Sequence, residues 1–134
     1  MIIEINNLAK GYRLSRVDKK VFSTVAKKVL KGENRRTETL SLAFVEKAEI
    51  KKLNKKFRKK NKPTDVLSFA LKNGNYLGEI IICPEVVREK GENLLEVFVH
   101  GILHLCGYDH EKSKSEEKKM EGKQNFYLEK FIRN

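Results

Sequence analysis

Leu94-Leu95-Glu96-Val97-Phe98-Val99-His100-Gly101-Ile102-Leu103-His104-Leu105-Cys106-Gly107-Tyr108-Asp109-His110 is the stretch around which the rest of the chain can be arranged. Asn93 suits the cap of a helix over about 94–106, and Gly107 lets the chain leave that helix with a positive φ. The apolar positions Leu94, Leu95, Val97, Phe98, Val99, Ile102, Leu103 and Leu105 spread around its whole circumference. A helix that is apolar on nearly every side is a buried one, so it is expected at the centre of the domain.

Outward from this helix, the remaining elements are read by periodicity. Residues 1–6 (MIIEIN) alternate like a short strand. Asp18 reads as the cap of a helix over about 19–32, in which Val21, Phe22, Val25, Val29 and Leu30 recur at three- and four-residue spacing, with Gly32 at its C-cap. Thr39 to Glu46 alternates as a strand with Leu40, Leu42 and Phe44 on one face. Ala48 to Lys59 reads as a helix docked through Ile50, Leu53 and Phe57, broken by Asn61-Lys62-Pro63. Asp65 to Leu71 and Tyr76 to Cys83 read as strands joined by the turn chemistry of Lys72-Asn73-Gly74-Asn75. Pro84 opens a short helix that Gly91 ends. Ser113 or Ser115 opens a last, charged helix with Met120, Phe126, Tyr127 and Ile132 for docking. The order β-α-β-α-β-β-α-α-α predicts an α+β fold, a mixed four-stranded sheet packed with helices.

At 134 residues, with 40% hydrophobic and 35% charged positions, the chain has the length and composition of a single domain, 1–134. Two cysteines, Cys83 and Cys106, are too few for a disulfide framework. No apolar run reaches the roughly 18 residues of a membrane helix, and no secretory leader opens the chain, so the expected location is the cytoplasm. Charge is unevenly distributed. Residues 1–60 hold 18 Lys/Arg against 6 Asp/Glu, and residues 61–134 hold 11 against 12, so the net charge of +11 belongs to the first half. Lys51 to Lys62 has eight basic residues in twelve and no acid. Such a block either lines up with phosphates or is a solvated Lys-rich helix face.

All three histidines of the chain fall within eleven residues: His100, His104 and His110. His100 and His104 lie one turn apart on one face of the central helix, and the turn at Gly107 can return His110 to the same point. Burying each polar ring uncompensated costs about 1–3 kcal/mol, a cost that a shared metal removes. Three imidazoles with an open fourth position are the arrangement of a catalytic zinc site. The spacing H-x-x-x-H-x-x-G-x-x-H is also that of the metzincin peptidases, whose general-base Glu follows the first histidine. Here that position is Gly101, which argues against a peptidase.

His100 to His110 resembles the signature of the YbeY family, metal-dependent endoribonucleases of ribosomal RNA maturation. Phe57-Arg58, followed by Lys62-Pro63-Thr64-Asp65-Val66-Leu67-Ser68-Phe69, is similar to that family's second block. Leu77-Gly78-Glu79-Ile80 is similar to its third, with Glu where the family usually has Asp. The resemblance implies a zincin-like metal helix and one divalent ion, zinc, on His100, His104 and His110. It also implies a single-stranded ribosomal RNA substrate, the ribosome as partner, and Arg58 as a catalytic residue. On charge alone, Arg58 is one more cation in a Lys-rich helix.

Several other residues have two readings. Asp109 either orients an imidazole or caps the following helix. Thr64 and Ser68 either contact phosphate or serve the turn and strand, Tyr108 either stacks on a base or packs, and Cys83 and Cys106 read as small core residues. Two rival functions stand beside the endoribonuclease: another zinc-dependent hydrolase of peptidase type, and a non-catalytic ribosome-associated RNA-binding factor with a structural metal.

Overall fold

A computed structural model of the chain describes residues 3–35 and 37–131. Its elements are β1 (Glu4–Asn7), α1 (Arg16–Gly32), β2 (Thr39–Phe44), α2 (Lys47–Arg58), β3 (Val66–Asn73), β4 (Tyr76–Ile82), α3 (Pro84–Glu89), α4 (Leu94–Leu105) and α5 (Lys114–Phe131). This is the α+β order that periodicity predicts. The four strands stand in the order β1-β2-β4-β3. β1 pairs parallel to β2 and β2 parallel to β4, while β3 returns antiparallel along β4, so the sheet is mixed.

The alternation of the strands divides the interior into two unequal layers. Leu40, Leu42 and Phe44 of β2, with Ile80 and Ile82 of β4, belong to the larger core with Phe22 and Leu30 of α1, Phe98 and Ile102 of α4, and Met120 and Tyr127 of α5. The intervening residues Leu67, Ile81 and Cys83 join a smaller core with Ile50 and Val86. Helix α4 therefore lies inside the larger layer, where its all-round apolar sequence requires it. Phe22 meets both Phe44 and Phe98 edge-on, at centroid distances of 5.4 and 5.3 Å, linking α1, β2 and α4. No helix among the described residues is long and apolar enough to cross a membrane.

Some boundaries differ from the periodicity reading for local reasons. Ser15 caps α1: its Oγ accepts the Asp18 N–H at 3.0 Å, and Asp18 Oδ2 accepts the Ser15 N–H at 3.0 Å. Asp18 is thus the third residue of a capping box, three positions inside the helix. Gly32 stays helical and Glu33 is the C-cap; a Cβ at Gly32 would lie 2.5 Å from the Tyr127 hydroxyl. Helix α2 stops at Arg58, before the proline signal, because Lys59 turns left-handed at φ 59 and the Asn54 side chain donates to the Lys62 carbonyl at 2.9 Å. Met120 and Tyr127 are buried as expected of a docking face, Phe126 is half exposed, and Ile132 lies outside the described residues.

Gly78 shows where the sheet admits only glycine. Its φ is +148, and a Cβ there would stand 2.0 Å from the Phe69 carbonyl oxygen. Gly78→Ala is expected to destabilise the fold by about 2 kcal/mol or more. The measurement is the urea midpoint at unchanged slope, against Gly122→Ala on the open face of α5, which should stabilise by about 0.5–1 kcal/mol.

Candidate metal centre and its groove

His100 and His104 leave α4 one turn apart, and the chain then reverses in six residues. The N–H of Cys106 returns to Ile102 and Leu103, that of Gly107 to His104 at 3.0 Å, and that of Tyr108 to Leu103 at 3.1 Å, with Gly107 at φ +105. A φ of that sign is cheap only for glycine. Asp109 Oδ1 then accepts the Glu111 N–H at 3.0 Å, so this carboxylate closes a turn instead of capping the following helix, where Ser113 Oγ accepts the Glu116 N–H at 3.1 Å. His110 returns to the other two histidines.

The three rings pack pairwise at centroid distances of 4.8, 4.9 and 5.0 Å. Their donor nitrogens all lie within 4.8 Å of one another, a group able to hold a metal ion. His110 Nδ1 and His104 Nε2 share a hydrogen bond of 3.0 Å. His100 Nδ1 lies 3.0 Å from Gln124 Oε1. An amide oxygen only accepts, so Nδ1 carries the proton and Nε2 keeps its lone pair. Gln124 escaped the sequence reading, although a signal existed: it is a polar residue between Met120 and Tyr127 on the buried stripe of α5.

Burial, then the neighbouring His100 and His110, lowers His104 to about 4, and burial lowers His100 as well. Both imidazoles are therefore neutral at neutral pH, the form that binds metals.

The loop that returns His110 is tied down from behind. Tyr108 donates to Glu33 Oε1 at 2.8 Å, Tyr127 donates to Glu33 Oε2, and the Lys123 ammonium lies 3.5 Å from that oxygen. Burial works to raise Glu33, but the hydrogen bonds from Tyr127 and Tyr108 and the charge of Lys123 outweigh it and hold the carboxyl below its ordinary value. Burial and Glu33 together push the Tyr108 hydroxyl up to about 12. Tyr108 is thus a packed anchor. Arg35 adds a bond from its guanidinium to the Cys106 carbonyl at 3.3 Å.

The histidines open on a groove of about 1140 Å³ whose lining also includes Arg58, Thr64, Asp65 and Ser68. Arg58, at the exposed end of α2, reaches Glu111 Oε1 at 3.4 Å, and the same oxygen lies 3.9 Å from His110 Nε2. The structure therefore brings all four expected site residues to one groove. Thr64 donates to Asp65 Oδ1 at 3.2 Å and Ser68 to the Gly101 carbonyl at 3.4 Å, so both hydroxyls serve the turn and the strand. A carboxyl pair in the groove, Asp65 and Glu92, also escaped the sequence reading. Desolvation and the Asp65 carboxylate push Glu92 up to about 7, and its protonated form donates a hydrogen bond to Asp65.

Gly101, where a metzincin holds its general base, faces the sheet. A Cβ there would be 3.0 Å from Ile80 Cγ2, so any side chain at this position presses on the sheet.

A family model described as Endoribonuclease YbeY matches residues 4–132. The chain is 42% identical to an Endoribonuclease YbeY of Bdellovibrio bacteriovorus, over 80% of this chain and 76% of the relative. It is 38% identical to that of Thermotoga maritima, over 96% and 87%, and 46% identical to that of Aquifex aeolicus, over 68% and 69%. A solution structure of a Thermotoga maritima protein is similar at a TM-score of 0.64 and 34% identity, covering 96% of this chain and 87% of that one.

Proton competition provides a check on the histidine group. The folded value of His104, about 4, lies below its ordinary 6.5. Between those values the unfolded chain binds more protons, so the contribution of His104 to stability is complete above pH 6.5 and is lost as pH falls toward 4. Thermal melts of metal-free protein should show wild type losing Tm faster than His104→Gln across that window.

Proposed function

The chain belongs to the Endoribonuclease YbeY family, and from that premise we propose that it is a metal-dependent, single-strand endoribonuclease of ribosomal RNA processing, with His100, His104 and His110 holding one zinc ion and Arg58 as the catalytic cation. The observation that carries this reading is the juxtaposition in one groove of three imidazoles and an exposed guanidinium. The donor set fits the ion: imidazole nitrogen suits zinc, and among the described residues no fourth His, Cys, Asp or Glu joins the group. A site with three protein ligands beside an open groove favours catalysis over a structural metal. Zinc bound in such a site supplies Lewis-acid chemistry and a nucleophile at neutral pH.

The residues of the chain supply the remainder. A guanidinium fork matches two phosphate oxygens, and Arg58 is in reach of the groove. Its partner Glu111 is more than half exposed, so the pair contributes little to stability and exchanges for a phosphate at small cost. Lys60 and Lys62 line the same groove and extend the positive field along an incoming strand. Gln124 keeps the proton of His100 on Nδ1, and the Glu33–Tyr108 bond keeps the His110 loop in register. The peptidase alternative lacks a base at Gly101. Ribosomal RNA as substrate, the ribosome as partner, and a cytoplasmic site of action follow from the family and belong to this reading.

Metal analysis paired with RNA cleavage tests it. His104→Ala should lose both metal and cleavage. Arg58→Ala should keep the metal and the fold while cleavage at saturating RNA falls about a hundred- to thousandfold, the effect of losing one transition-state donor. Full cleavage in the Arg58 variant removes its catalytic role. RNA affinity should also fall steeply with added salt, and charge reversals within Lys51–Lys62 should flatten that dependence without releasing metal.

A further inference from the structure

Helical spacing puts Phe57 with Ile50 and Leu53 on the docking face of α2, yet its side chain is 55% exposed. Ile50 is fully buried in the smaller core and Leu53 packs against it, so the apolar stripe of the helix continues one turn past the surface that covers it. At that overhang the Phe57 ring meets Phe69 edge-on, at a centroid distance of 5.1 Å and 63°. Phe69 is partly buried against the smaller core, which gives the exposed ring a fixed backing. Both rings line the groove that holds the three histidines and Arg58. The Lys56 ammonium stands 5.2 Å from the Phe57 centroid, and Arg58 follows next in sequence.

Exposure alone is not the signal. Phe126 is 50% exposed and also has a lysine, Lys130, over its ring, but it lies outside the groove. What sets Phe57 apart is an aromatic face held beside the Arg58 guanidinium, on the groove wall where Lys60 and Lys62 continue the basic run of α2. A polyanion tracks such a groove by charge, and of the common polyanions a single-stranded nucleic acid also carries flat apolar rings at each phosphate. We propose that Phe57, backed by Phe69, is a stacking platform for one nucleobase of a single-stranded RNA whose neighbouring phosphate is held by Arg58. This proposal rests on the endoribonuclease reading above. Stacking is tolerant of base identity, because every base presents a π-face, so the platform adds affinity and register without reading sequence. The Lys56 ammonium moves off the ring to the strand as the base arrives.

The chain contains no tryptophan, so Phe57→Trp introduces a single reporter at the platform. The probes are a short single-stranded 2′-O-methyl oligonucleotide, which resists cleavage, and an abasic oligomer of the same length and charge. Wild type should bind the base-containing oligomer about 10- to 100-fold more tightly than the abasic one. Phe57→Ala should bring the two affinities together by weakening the first and leaving the second unchanged. Phe57→Tyr should restore the difference, and Phe126→Ala should leave it intact. Emission of the Phe57→Trp protein should be quenched by the base-containing oligomer and not by the abasic one; this arm needs no truncated side chain to fold. Equal affinities for the two oligomers in wild type, a preference that survives Phe57→Ala, or an unquenched tryptophan overturns the platform. If wild type still cleaves RNA in that case, the endoribonuclease reading stands without it. If wild type neither binds nor cleaves RNA, both fall together.

Discussion

Helix α4 is apolar on every side but one, and the exception is a strip two turns long that carries Glu96, His100 and His104. The sheet, α1 and α5 close over the rest of it. Polar rings on so buried an element are unfavourable unless each finds a partner, and here the partners define the site. Gln124 Oε1 accepts a hydrogen bond from His100 Nδ1, and His110 is brought back to His104. Packing that excludes water from the helix also lowers the proton affinity of these rings. One constraint thus accounts for the position of the two helix histidines, the tautomer of His100 and the neutrality of both.

The return of His110 depends on a second buried polar element on the far side of the loop. Glu33 closes α1 and receives two tyrosine hydroxyls, one from the loop after α4 and one from α5. Three segments distant in sequence therefore meet at one carboxylate. Its hydrogen bonds offset the cost of burial, which keeps it ionised. The rigidity of the histidine loop follows from this junction, since the glycine at its start supplies only freedom to turn.

The sequence was legible wherever the signal is local. The circumference of α4, the turn within Lys72-Asn73-Gly74-Asn75, the histidine spacing and the Gly107 turn are properties of neighbouring residues and are legible, although the turn itself takes only Gly74 and Asn75. The Asp18 cap was misassigned by three positions because a capping box contains two polar residues, and only geometry distinguishes its members. Phe57 was assigned to the docking face because periodicity identifies the face of a helix but not the length of the surface that covers it. Gln124, Glu33 and the Asp65–Glu92 pair were missed because their partners lie far off in sequence. Among them only Gln124 left a trace, as a polar residue in an apolar stripe.

The contact between Gly101 and Ile80 bears on how this scaffold can change over evolutionary time. A hydrolytic site of peptidase type differs from this one on paper by a single residue, a glutamate after the first histidine. On this backbone that glutamate presses on the side chain of Ile80 in the sheet, so the single substitution is destabilising. Making room requires shrinking Ile80 first, and truncating a buried isoleucine costs about 2–5 kcal/mol, a large part of the stability of a domain this size. The two chemistries share a histidine spacing but are separated by a packing cost, which falls at a glycine with no side chain of its own.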